Sequence, residues 1–339
     1  MTQNLTWEKI ELQLYNPFRL SYGVSQTRPA YWIRLKNDEG WGEGTIPPYY
    51  GITEKDMVLF WAQAAKKTAH FPSDISTIKD WIGNNGPAPA RAALDLALHD
   101  RLGRKYNVPL YKLLGIPYPK PKPSAVTITM ETPKSSAEMA LRLTAFPIIK
   151  LKLGRGQDDI EILRAVRIAR PNTQIWVDAN AGWQLNDAIR LVKDLEKFQV
   201  ELLEQPLDKQ DFIGLGRLQS ATSIPIVADE SVQEFKDIEA LADEGIKGVN
   251  IKLMKVGGIT PALKMIRQAK NYGLKVMLGC MIETAIGTTA MAHLSSYADW
   301  LDLDASLLIK NDPFSGMSFD ENANIQINEK CGIGVTYNI

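Results

Sequence analysis

The sequence predicts an α/β chain built around a (β/α)8-type barrel, with an α+β domain ahead of it. Three observations carry this reading. Short apolar runs recur through the second half on a beat of about twenty-five residues, six of them carry a charged residue near their end, and the first third of the chain ignores the beat. The six charges are Lys152, Asp178, Glu204, Asp229, Lys252 and Asp302, separated by 26, 26, 25, 23 and 50 positions. A further apolar run, Lys275–Met281, fills the double step. A strand, a loop, a helix and a return loop need about that many residues, so the beat reads as consecutive βα units of a parallel sheet.

In chain order, Trp7–Tyr15 and Tyr31–Leu35 read as strands, and Asn37–Gly40 as a turn into a third at Trp41–Gly44. Thr53 is placed to cap a helix running to about Thr68, and Ala88–Lys105 is strongly helical, stopping before Asn107-Val108-Pro109. Pro117–Pro123 holds four prolines in seven residues, the composition of a stiff extended linker, and puts a domain boundary there. Residues 1–122 therefore form the first domain and 123–313 the second, with 314–339 a turn-rich segment returning to the first.

The second domain contains eight strand-like runs: Ala125–Met130, Ile148–Leu153, Ile175–Asn180, Glu201–Pro206, Ile224–Ser231, Gly248–Met254, Lys275–Met281 and Trp300–Ala305. Between them, Asp158–Arg170, Leu185–Phe198, Glu234–Glu244 and Pro261–Tyr272 carry apolar residues at three-and-four spacing. An open doubly wound sheet would give the same local signals. Charge favours the barrel. Parallel strands are buried on both faces, so lysines and carboxylates late in six of them need partners, and the C-terminal strand ends of a barrel bring them together.

Composition bounds the function. With 339 residues, 45% apolar content and 39 basic against 39 acidic side chains, the chain suits a soluble protein of about two domains. No basic run points to nucleic acid, no apolar stretch is of membrane-helix length, and the start lacks a secretory pattern, which makes the cytoplasm the default location. Cys280 and Cys331 make no disulfide framework.

Counting round the ring, Lys152 falls on the second strand and Lys252 on the sixth, so the two lysines face each other. Asp178, Glu204 and Asp229 end three adjacent strands, about 4.8 Å apart, and converge. Oxygen ligands without a His or Cys set call for a hard cation, and Mg²⁺ suits three carboxylates with positions to spare. Asp302 and Asp304 share one face of the eighth strand. Such a pocket suits a 1,1-proton transfer: the metal holds a substrate carboxylate, one lysine removes the adjacent proton and the other returns one to the opposite face. That requires a partly neutral lysine, which nearby positive charge and partial burial promote. Lys150, on the face of Lys152, can lower its neighbour's pKa and hold the substrate carboxylate.

The motifs Lys150-Leu-Lys152, Asp178-Ala-Asn180, Glu204-Gln-Pro206, Asp229-Glu-Ser231, Asn250-Ile-Lys252 and Asp302-Leu-Asp304, taken together in this order, resemble the enolase superfamily. The likeness is to its muconate-lactonising subgroup and, within that, to the dipeptide epimerases of the L-Ala-D/L-Glu type. It spans nearly the whole chain. The resemblance implies a modified TIM barrel with an N-terminal capping domain completed by the C-terminal segment. It implies an isomerase that inverts the α-carbon of a dipeptide's C-terminal residue through an enolate, with a place in peptidoglycan peptide metabolism. It makes Lys152 and Lys252 the acid/base pair, Asp178, Glu204 and Asp229 the Mg²⁺ ligands, and Thr127, Lys150, Cys280, Asp302 and Asp304 the substrate-binding residues. The acidic pair would hold the free ammonium group. Cap loops at about Asn16–Arg28 and Pro47–Thr53 would select side chains, with Arg19 or Arg28 meeting a glutamate. Homo-oligomeric assembly is an analogy with related barrels.

Plainer readings stand beside these. One strand-end carboxylate alone is most often a cap or a salt-bridge partner, whereas three converging are not. Cys280 reads more readily as a small buried hydrophobe than as a nucleophile, Thr127 as a β-branched strand residue, and His70, His99 and His293 lie off the pattern. An N-acylamino acid racemase, an o-succinylbenzoate synthase or a cycloisomerase of the subgroup would share both lysines and the metal ligands. A Schiff-base aldolase would leave the acidic cluster unexplained.

Overall fold

The computed structural model describes residues 4–338 except Tyr22, Pro48 and Ala69. Its first third is an antiparallel sheet of β1 (Leu5–Leu20), β2 (Gly23–Leu35) and β3 (Trp41–Thr45), packed against the helices Glu54–Ala65 and Ala88–Tyr106. Thr53 and Asp56 cap the first helix reciprocally, and Asn107 ends the second in the left-handed region at φ 52°. Ile33, Met57, Trp61, Leu94 and Leu98 fill the space between sheet and helices. The fit is tight at β3, where a Cβ on Gly42 would stand 2.0 Å from the Ala93 carbonyl oxygen. Gly42→Ala is accordingly expected to cost about 3 kcal/mol, read as a lower urea midpoint at unchanged slope.

One segment differs from the sequence reading. Asn16–Arg28, expected as a loop, is the far end of the β1–β2 hairpin, with Leu20 opposite Gly23 and a register shift between Gln13 and Phe18. Asn16, Pro17 and Gly23 read locally as turn formers, but pairing along the hairpin overrides them. Phe18, Leu20 and Arg28 line the cavity at the barrel mouth. Tyr22 of this segment and Pro48 of the second expected loop lie outside the described residues.

Eight parallel strands follow: β4 (Val126–Ile128), β5 (Ile148–Lys152), β6 (Gln174–Asp178), β7 (Val200–Glu204), β8 (Ile226–Ala228), β9 (Gly248–Ile251), β10 (Lys275–Gly279) and β11 (Trp300–Asp302). Each pairs with the next in chain order. The Ala125 N–H donates to the Leu301 carbonyl at 2.9 Å and joins the first strand to the last, so the sheet closes into a barrel rather than staying open. β9 stops earlier than its apolar run suggests, because Leu253–Val256 forms a helical turn ended by Gly257 at φ 98°.

Strand parity explains the interior. Ala125, Ile148, Trp176, Leu202, Val227 and Met277, with Trp300 against them, form an apolar plug. Two residues further along these strands come Thr127, Lys150, Asp178, Glu204, Asp229, Gly279 and Asp302, which the period of two places on the same inward face. A greasy floor thus carries a layer of charge. The final residues lie on the first domain: Trp32 stacks on Tyr337 at 5.1 Å and meets Phe314 edge-on at 5.0 Å, and the Ile333 N–H donates to Asp100 at 2.8 Å. Among the described residues no helix is long and apolar enough to cross a membrane.

Candidate active site

The charged layer is a connected network. Lys152 Nζ lies 2.6 Å from Asp178 Oδ2. Lys150 Nζ, fully buried, lies 3.1 Å from Asp178, 2.7 Å from Glu204 and 2.7 Å from Asp302. Across the ring Lys252 Nζ stands 2.7 Å from Asp229 Oδ2. The Asn250 amide donates to Glu204 Oε1 at 2.9 Å, and the Gln205 side-chain oxygen accepts the N–H groups of Asp229 (2.9 Å) and Ser231 (3.1 Å). Gly279 leaves room for Lys252, since a Cβ there would sit 2.9 Å from its Cε. Just beyond the carboxylates, Asn180, Ala181 and Gln205 take φ of 42°, 58° and 32°, a strained turn of the chain that functional strand ends tolerate.

Electrostatics follow from burial against pairing. Burial alone would raise Asp178, yet the Lys152 and Lys150 ammonium groups hold it at about 2. Asp229 is likewise held far below the carboxylate range, against burial, by Lys252 and Lys255. Glu204 goes the other way: burial, reinforced by Asp178, pushes it up to about 7. Burial opposes the charge on Lys252, but Asp229 and Glu204 win and hold it above its ordinary value. Asp304 rises to about 6 through burial and the neighbouring Asp302. One carboxylate in the cluster is thus short of positive charge.

Asp178, Glu204 and Asp229 are all buried, with ligand oxygens within 4.8 Å of one another. Three convergent carboxylates with no His or Cys among them, one pushed toward its neutral form by burial and then by a neighbouring carboxylate, fit a hard divalent cation.

Thr127, Lys152, Lys252, Cys280, Asp302 and Asp304 line a single cavity beneath the hairpin. Lys150 lies behind this wall and faces three carboxylates, which keep its charge well above the ordinary lysine range despite burial. Asp304 Oδ2 accepts the Thr127 N–H at 2.7 Å, while Asp302 Oδ1 is buried without a hydrogen-bond partner. The Cys280 thiol is pushed well up by burial and then by Asp304 and Glu283, so it is a neutral wall group and not a nucleophile. Of the two arginines considered, Arg19 pairs with Glu131, and Arg28 lines the cavity, donating to Ser25 at 2.9 Å.

The sequence reading missed Lys255. Its Nζ reaches the carboxylate and carbonyl of Asp229 and the Asn250 carbonyl. Reading Gly248–Met254 as one strand hid it: Lys255 follows Lys252 by three, so only the helical turn folds it back beneath the site. Asn180, Gln205 and Asn250 lay inside the quoted motifs, but nothing in spacing announces their bracing role.

The profile of the "Mandelate racemase / muconate lactonizing enzyme, N-terminal domain" matches residues 5–115, and that of the "Enolase C-terminal domain-like" family matches residues 134–338. The L-Ala-D/L-Glu epimerase of Bacteroides thetaiotaomicron is 33% identical over 98% of this chain and 87% of its own. The dipeptide epimerase of Enterococcus faecalis, solved with Mg and L-Leu-L-Tyr, superposes with a TM-score of 0.92 at 29% identity, covering 99% of each chain. The N-succinyl Arg/Lys racemase of Bacillus cereus superposes at 0.93 with 28% identity, over 100% of this chain and 96% of its own. A barrel with this charged interior, under a cap matched over nearly its whole length, places the chain in the mandelate racemase/muconate lactonizing enzyme family of enolase-like proteins.

Proposed function

We propose that this protein is a Mg²⁺-dependent dipeptide epimerase. One observation carries the reading: Lys152 and Lys252, from strands on opposite sides of the ring, line the same cavity as the acidic pair Asp302 and Asp304. The N-succinyl racemase shares the fold, but an acylated nitrogen has no charge for two buried aspartates to hold. Support also comes from the epimerases among the relatives.

Asp178, Glu204 and Asp229 would hold the Mg²⁺. Bound there, it would supply a Lewis acid for the substrate carboxylate and for the charge that develops when the adjacent carbon is deprotonated. Lys152 and Lys252 address opposite faces of that carbon, so a proton taken by one is replaced by a proton from the other, and the centre inverts. Asp302 Oδ1, buried without a hydrogen-bond partner, would accept the substrate ammonium group, with Asp304 in the same cavity lining. Lys150 is a fixed positive charge behind the wall. Since Asp304 titrates near 6, kcat/KM for dipeptides is expected to rise with pH through about 6, as the neutral acid below that pH gives up its attraction for an ammonium.

For side-chain choice, Arg28 is the cationic residue that the hairpin contributes to the cavity, among the apolar groups Phe18, Leu20 and Ile46. Arg28→Met is expected to reduce kcat/KM for L-Ala-L-Glu by about 10- to 100-fold and leave L-Ala-L-Leu nearly unchanged. Steady-state assays on both dipeptides check this. The test of the function itself is a panel of L-Ala-L-Xaa dipeptides and N-succinyl amino acids incubated with Mg²⁺ in D₂O. Uptake of α-deuterium by dipeptides supports the reading. No uptake by any of them, or uptake by N-succinyl amino acids alone, overturns it.

A further inference from the structure

A second cavity, of about 490 Å³, lies on the seam between the two domains and shares no lining residue with the barrel mouth. One side is the first domain: the short helix Ile78–Ile82 and the start of Ala88–Tyr106. The other is the outer surface of the barrel, at the starts of the helices Phe235–Asp243 and Ile259–Asn271. Ile82, Phe235, Val256 and Met265 supply its apolar walls, with Phe235 41% exposed. Around them stand Lys79, Arg91 and Lys264. Lys79 and Lys264 have no carboxylate partner among the described residues, and Arg91 donates only to the backbone carbonyls of Asn84 and Gly86. The lining acids are already engaged. Asp95 accepts the Ile259 and Thr260 N–H groups at 2.6 and 3.2 Å and faces His99, and Glu234 pairs with Lys236 at 2.9 Å. The Thr260 hydroxyl, on the same wall, is buried with no hydrogen-bond partner.

An apolar pocket of this size with a few convergent polar groups has the construction of a small-molecule site. We infer that the seam cavity binds an amphipathic anion, a carboxylate, sulfonate or phosphate on an apolar or aromatic body, separate from the substrate. The ring system lies on Phe235, Val256 and Met265, the anionic group meets Lys79, Arg91 and Lys264, and the Thr260 hydroxyl is satisfied by an acceptor on the ligand. Burial pulls the Arg91 guanidinium below its ordinary value, with Glu234 only partly offsetting it, so a counter-anion relieves an existing cost.

The probe is 8-anilinonaphthalene-1-sulfonate, titrated into the full chain with Mg²⁺ and a saturating dipeptide, and soaked into crystals. Binding of one probe per chain, with density for the rings in the seam, is expected. Lys79→Glu/Lys264→Glu should weaken it at least about tenfold and leave epimerisation unchanged, because both lysines lie on the outer surface away from the barrel mouth. Lys79→Gln/Lys264→Gln, a milder change, decides the same question if the first pair folds poorly. Equal affinity in the variants, density at the barrel mouth alone, binding at crystal concentration only, or a solution dimer that buries the seam would overturn the proposal.

Discussion

Lys252→Ala is expected to lower kcat for epimerisation by about 10³- to 10⁴-fold, with KM changed only a few-fold, because the proposed mechanism gives Lys252 an acid/base role and leaves the substrate's charged ends to other residues. The loss should be asymmetric. Lys152 remains on the opposite side of the cavity, so exchange of the α-hydrogen should survive for one epimer and vanish for the other. Lys152→Ala should give the mirror image. Folding should survive the Lys252 change, since Lys255 still neutralises the buried Asp229. Circular dichroism and exchange assays on both epimers check the pair, and equal losses for both epimers in either variant would contradict the assignment.

The second large effect concerns the acidic pair. Asp302→Asn is expected to reduce kcat/KM for free dipeptides by about 100-fold, since it removes the charge from the buried oxygen that has no other partner. Lys150 would keep Asp178 and Glu204 as counter-ions, so the network should hold. An N-acetyl dipeptide, with no ammonium group, should lose far less or improve. Parallel assays of acetylated and free L-Ala-L-Leu make the comparison. Identical losses for the two would mean that Asp302 acts only through Lys150.

The barrel and the gathering of its charged strand ends were legible in the chain, and the reason is strand parity. In a closed parallel barrel, inward-facing charge must gather at one end of the strands, so a linear beat of charged strand ends translates directly into a ring. The residues that escaped are those whose position depends on departures from regular strands. Lys255 reaches Asp229 only because Leu253–Val256 coils. Lys150 stands within 3.1 Å of three carboxylates, Asp178, Glu204 and Asp302, a set of neighbours that its own spacing does not announce. The segment Asn16–Arg28, expected as a cap loop from the family resemblance, is instead the paired end of the hairpin between β1 and β2. Selection between Arg19 and Arg28 likewise waited on three dimensions, where Glu131 takes the first.

The central claim is that two lysines work on opposite faces of one carbon. It is tested most directly by following the unmodified protein with Mg²⁺ and an L,L-dipeptide in D₂O at low conversion, separating the epimers and weighing each. Inversion by two residues predicts one deuterium at the α-carbon of nearly every product molecule, since the returning proton comes from a lysine equilibrated with solvent. Product that retains the original hydrogen would mean that a single residue carries the proton across, and would contradict the account.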